Sequence, residues 1–132
     1  MPRYEITTHQ RSQMIDVTDH LHRAIREAGV EHGLATVYVP HTTAGVTINE
    51  NADPDVVHDM LAQLDEMVPW SQPFYQHGEG NSAAHVKASM MGSSATVLIE
   101  NGAPLLGTWQ GIWFCEFDGP RRRTLLVHVM GQ

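Results

Sequence analysis

Apolar residues recur along this chain with two periods, every second residue and every third or fourth, and the switches between them mark out its elements. Tyr4 to Thr8 and Gln13 to Val17 alternate as short strands. From Asp19 to Ala28, Leu21, Ala24, Ile25 and Ala28 form one stripe, so a helix is expected there, with Gly29 as its stop signal. Leu34 to Pro40 and Gly45 to Asn49 are rich in β-branched residues and read as strands. Asp53 followed by Pro54 sets an N-cap before a proline at the first helical position. The helix it opens turns Val57, Met60, Leu61, Leu64 and Val68 inward. Pro69 to Gly80 is loop, and a third, short helix runs from Asn81 to Gly92. Thr96 to Glu100, Gly111 to Asp118 and Thr124 to Met130 complete the strands, with Asp118-Gly119 expected to join the last two as a hairpin. Strands separated by three helices, paired antiparallel at both ends, make an α+β fold in a single domain over residues 1–132.

Composition narrows the function classes. Eight basic residues face fifteen acidic ones, a net charge of −7, which argues against nonspecific nucleic-acid binding but not against a small anion in a local pocket. No apolar run approaches the roughly 20 residues of a membrane span, and no signal-peptide pattern precedes the first strand. One cysteine excludes an intrachain disulfide and suits a reducing compartment, so the expectation is a cytoplasmic protein with neither membrane nor nucleic acid as partner.

Candidate chemistry concentrates in His77-Gly78-Glu79-Gly80-Asn81-Ser82-Ala83-Ala84-His85. The glycines permit a tight turn and close approach to a ligand. Asn81 or Ser82 caps the helix, whose N-terminus directs unpaired N–H groups at what lies ahead: an anion, a metal, or an anion carried by a metal. Of nine histidines, His9, His20, His22, His32 and His58 fall on polar faces and read as solvent-facing. His128 alternates on the last strand as a core, interface or ligand residue. His41, His77 and His85 lie at element ends beside small or polar residues. Three neutral imidazoles suit zinc or a similar divalent ion and leave a coordination position open, though their spacing matches no zinc signature; hydrogen bonding to a phosphate is the alternative.

Two further clusters carry polar groups. Thr43, Thr47 and Asn49 share the His41 face of an extended chain, and Asn49, Glu50 and Asn51 could bind Mg²⁺ through water, orient a substrate, or close an Asx turn. Thr108-Trp109-Gln110, flanked by Gly107 and Gly111, offers an indole and an amide to a planar ligand, or an indole to a subunit interface. Arg121-Arg122-Arg123 is the one basic run. Arg121 and Arg123 share a strand face and could hold phosphate; pairing with Glu116 and Asp118 is the alternative, most naturally for Arg122.

Taken in order, His41-Thr42-Thr43-Ala44-Gly45-Val46-Thr47-Ile48-Asn49-Glu50-Asn51, the His77–His85 stretch, Gly107-Thr108-Trp109-Gln110 and Glu116-Phe117-Asp118-Gly119-Pro120-Arg121 resemble the YjbQ family, also labelled secondary thiamine-phosphate synthase, across essentially the whole chain. The resemblance implies an α+β fold, a compact homotrimer, a pocket that can lie between subunits, and a side activity joining a pyrimidine pyrophosphate to a thiazole phosphate. Such chemistry must stabilise departing pyrophosphate, usually with Mg²⁺ and cationic or N–H donors, so the expected cofactor is a divalent metal, Mg or, from the histidines, Zn. Glu50, His77, Glu79 and His85 are the candidate catalytic residues, and His41, His77 and His85 the candidate metal ligands. Thr43, Asn49, Asn81, Ser82, Thr108, Trp109, Gln110 and Arg121 are the candidate binders of a small phosphorylated ligand. A metal-dependent hydrolase with Glu50 or Glu79 as base, and a noncatalytic ligand- or metal-binding trimer, stay open beside the transferase.

Overall fold

The computed structural model describes all 132 residues. In chain order the elements are β1 (Arg3–Thr7), β2 (Gln13–Asp16), α1 (Thr18–Ala28), β3 (Gly33–Tyr38), β4 (Ala44–Glu50), α2 (Pro54–Met67), α3 (Ser82–Met91), β5 (Ser94–Glu100), β6 (Ala103–Pro104), β7 (Gln110–Glu116) and β8 (Arg122–Gly131). They form two antiparallel sheets, a five-stranded one in the order β1-β8-β3-β5-β6 and a three-stranded one in the order β2-β7-β4.

Period-two alternation decides what each sheet buries. Ala35, Val37, Val97, Ile99, Leu125 and Val127 of the larger sheet meet Ala44, Val46, Ile112 and Phe114 of the smaller one. Leu21, Ala24 and Ile25 of α1 join the same core. At roughly 25 cal/mol per Å² of apolar surface removed from water, this core is the main stabilising term. The opposite face of the small sheet is covered too: Cys115 packs with Phe117, Met14, Leu64 of α2, and Ala84 and Ala88 of α3. That is why the run from Gly111 to Phe117 is almost continuously buried.

Gly45 lets α3 sit on β4. A Cβ there would come 2.6 Å from the carbonyl oxygen of Gly92, so no larger residue fits without a backbone shift. α1 ends at Gly29 in the left-handed conformation (φ 66°), and Asp53 caps α2 by accepting from the Asp55 N–H at 2.9 Å. The five-stranded sheet keeps one face uncovered, and Tyr38, Leu98 and Met130 stand exposed on it.

Four expectations are corrected. β7 and β8 do not form a hairpin: they lie in different sheets, and Phe117 to Arg121 is a crossover between them. An Asp-Gly pair signals a turn, but here Gly119 packs against the Gln10 carbonyl and its N–H donates to the Arg11 carbonyl, which holds the crossover on the β1–β2 loop. His20 and His22 are half-buried rather than solvent-facing, His20 because its ring packs 4.5 Å from that of Tyr4. His128 is exposed, which removes its core reading. On α2 only Leu64 is buried within the helix, while Val57, Met60 and Leu61 are half-buried at the edge of the second cluster.

Candidate functional site

The polar motifs fall at the two ends of the small sheet. Ala44 pairs with Glu116 at one end of β4, and Glu50 pairs with Gln110 at the other. Six residues of strand at about 3.3 Å each separate them by roughly 20 Å. Within one chain, therefore, Glu50, Trp109 and Gln110 do not share a pocket with Thr43, Arg121 and Arg123.

The Glu116 end is built on a buried ion pair. Glu116 has the parity of Ile112 and Phe114, so its side chain enters the space between the sheets, where Arg123 arrives from β8 with the parity of Leu125. Both are almost wholly buried, at 0% and 4% exposure. Arg123 Nε donates to Glu116 Oε1 at 2.8 Å, and its NH2 group donates to Glu116 Oε2 and to Thr43 Oγ1. The Thr8 hydroxyl donates to Oε1 at 2.8 Å and the Asp118 N–H to Oε2 at 2.9 Å. Burial alone pushes the Glu116 carboxyl upward, but these donors outweigh it and hold the group below its ordinary value.

Arg121 follows on the surface. Its Nε donates to the Asp118 carbonyl at 2.9 Å and its NH2 to Asp118 Oδ2 at 3.0 Å. The same Oδ2 accepts from Asn81 Nδ2 at 2.8 Å, so one carboxylate ties the start of α3 to the arginine. Asn81 occupies the N-cap position but makes no side-chain cap bond, and its Oδ1 is buried without a partner. His41 lies against Arg121 and Arg123, with Nε2 accepting the Thr124 N–H at 2.9 Å. Burial and then the Arg123 charge push its pKa down. Together with Tyr38, Thr42, Thr43 and Ser93 these groups line an open cleft of about 610 Å³.

His77 and His85 come together, with ring centroids 5.4 Å apart in an edge-to-face arrangement, and Glu79 lies 3.8 Å from His77. His41 does not join them: in a single chain no three His, Cys, Asp or Glu side chains are placed to hold one metal ion. The lone pair His41 would offer from Nε2 is also already taken by the Thr124 N–H. Ser82 is half-buried in the first turn of α3.

The arginines sort differently from expectation. Arg123 takes Glu116 and Arg121 takes Asp118, whereas exposed Arg122 only approaches Glu5 at 3.9 Å. At the far end, Asn51 Nδ2 donates to Asp16 at 3.2 Å and Asn49 Oδ1 accepts from the Glu50 N–H, so both amides serve the local chain. The Glu50 carbonyl accepts from Trp113 Nε1 at 3.1 Å, and Gln110 Oε1 closes the loop by accepting from the Gly107 N–H. Thr108 and Trp109 are exposed, Trp109 at 62%. Sequence reasoning offers Asp118 as an arginine partner but misses its bond to Asn81. Its place just before Gly119 points to a turn, and only the fold shows it bridging Asn81 and Arg121.

Fold and site together define a small two-sheet α+β protein with an arginine- and histidine-lined cleft at one end. The family model described as UPF0047 protein YjbQ-like matches residues 2–132, and the chain belongs to that family. The UPF0047 protein YugU of Bacillus subtilis is 54% identical over 127 residues, covering 96% of either chain. A UPF0047 protein of Methanocaldococcus jannaschii is 53% identical over 129 residues, 98% of this chain and 93% of its own. The crystal structure of an uncharacterized YjbQ/UPF0047 protein from Clostridium acetobutylicum superposes with a TM-score of 0.97 at 53% identity, covering 98% of this chain and 100% of that one. A conserved hypothetical protein of Thermus thermophilus gives 0.91 at 38%, covering 98% and 100%. No helix is long and apolar enough to cross a membrane.

The lowered histidines set a pH dependence. A group whose folded pKa lies below its ordinary value of 6.5 contributes its full stability above that value and loses it as pH falls through the folded one. His20 and His41 both act in this sense. Melting temperature should therefore fall between pH 7 and pH 5, and His41→Gln should show a smaller fall than the wild type. Equal falls would contradict the assignment.

Proposed function

We propose that the chain binds a small phosphorylated ligand at the His41–Arg121 cleft and displaces phosphate or pyrophosphate from it. The transfer joining a pyrimidine pyrophosphate to a thiazole phosphate is the form the family resemblance implies. The observation that carries this reading is Arg121. Asp118 takes its Nε and NH2 groups, which leaves the NH1 end for an anion beside His41, Thr42 and Ser93. Departing pyrophosphate is stabilised by such fixed donors. A divalent ion would add charge neutralisation; one chain brings only His77 and His85 together for it, with Glu79 beside His77, so the ligand set would need donors from another copy. The same histidine pair motivates the second reading, a metal-dependent hydrolase, which stoichiometric zinc in purified protein would favour over the transferase.

Ligand binding to the folded state stabilises it by roughly 2.7 kcal/mol at a hundredfold excess over Kd. Pyrophosphate should accordingly raise the melting temperature. Arg121→Ala should lose most of that shift while Arg122→Ala, exposed and near Glu5 only, keeps it. No shift with or without Mg²⁺, or equal losses in the two variants, would refute the cleft.

The proposal extends to a homotrimer. The uncovered sheet face with Tyr38, Leu98 and Met130 supports association with further copies. Assembly would also let the Glu50, Asn49, Thr108, Trp109 and Gln110 end of one copy complete the cleft of another. Light scattering at micromolar concentration should report three times the 14.7 kDa chain mass, and a monomer mass would reject the assembly.

A further inference from the structure

We propose that His41 is a neutral hydrogen-bond donor to the bound anion, presenting Nδ1–H to a phosphate oxygen beside the free end of Arg121. The inference rests on the reading of the cleft as a phosphate site and assigns the imidazole a role that neither metal ligation nor base catalysis describes.

The Thr124 N–H points at Nε2 from 2.9 Å, and a backbone amide can only donate. Nε2 must then be the bare nitrogen, which puts the ring's single proton on Nδ1. Thr124 is itself fixed in β8, immediately after Arg123, whose guanidinium is locked on Glu116 and Thr43. The tautomer is therefore set by the same framework that holds the arginines. Protonating Nε2 would break the Thr124 bond and place a third positive charge beside Arg121 and Arg123, with the one facing carboxylate, Glu116, already engaged. Burial opposes it as well, and the lowered pKa agrees with that geometry. An uncharged imidazole held in this way supplies a directed donor that keeps its proton, because neutral imidazole is a very weak acid, a device that suits negative charge developing on a departing oxygen.

The test is histidine ¹⁵N NMR of the intact protein at pH 7 with inorganic pyrophosphate as probe. His41 should show the Nδ1–H tautomer before addition, and its Nδ1 signals should move on titration while Nε2 stays unprotonated. His41→Gln keeps an oxygen able to accept from Thr124 but removes the ring donor, and should bind pyrophosphate about tenfold or more weakly, the ordinary loss for a hydrogen bond to a charged group. An Nε2–H tautomer, or pyrophosphate binding that leaves Nδ1 unmoved, overturns the assignment of His41 and leaves the cleft standing. Absence of any pyrophosphate binding by the wild type overturns the cleft and the donor role with it. Should the Gln variant not fold, the tautomer and titration on the wild type decide.

Discussion

A single buried ion pair, Glu116 with Arg123, joins the two sheets at the end where the site lies. Taking two charges out of water costs several kcal/mol per ion even after relaxation, so such a pair persists only when its remaining hydrogen-bonding capacity is met. Here it is met. Thr8 from the end of β1, the Asp118 N–H from the crossover and Thr43 from the approach to β4 all donate to or accept from it. Three stretches of chain far apart in sequence, around Thr8, around Thr43 and over residues 116–123, thus meet on two side chains.

The site inherits its geometry from that junction. Asp118 is placed by Glu116, and Asp118 in turn places Arg121 and the Asn81 side chain at the start of α3. The Arg121 N–H donates to Thr8 Oγ1 and the Thr124 N–H to His41, which anchors the remaining edge of the cleft. A polar site on irregular backbone is held in place here by packed strands and side-chain hydrogen bonds to the buried pair rather than by the loops themselves. The apolar alternation on either side has a second effect. Cys115 faces the helices within the second core cluster, and burial pushes its thiol up to about 12, so it is an inert packing group.

Much of the fold was legible because local signals and tertiary demands agree. Asp53-Pro54 and Gly29 mark helix ends for reasons internal to a few residues; α1 and α2 lie where periodicity puts them, and α3 lies between its Asn81 cap and Gly92. What was not legible depended on pairing. Asp118-Gly119 has hairpin chemistry, yet nothing within those residues says that β7 joins β2 and β4 while β8 joins β1 and β3. The two-residue β6 is too short to carry a period. At the site, the motif residues were visible but not their division between two ends of one strand. Asn81 reads as a helix cap from sequence because caps are local, whereas its bond to Asp118 spans 37 positions. Asn51 likewise looked free until Asp16 arrived from 35 residues away.

The central claim is that the Glu116–Arg123 pair acts as one unit on which the site end of the molecule rests. A double-mutant cycle on stability tests it most directly, using Glu116→Gln, Arg123→Met and the two combined. Each single change strands a buried partner and should cost about 3–5 kcal/mol, while the combined variant should cost no more than either one, so that the coupling is as large as the single effects. Additive losses, with the double variant destabilised by the sum of the singles, would show that the two side chains stabilise the fold independently and would contradict the account.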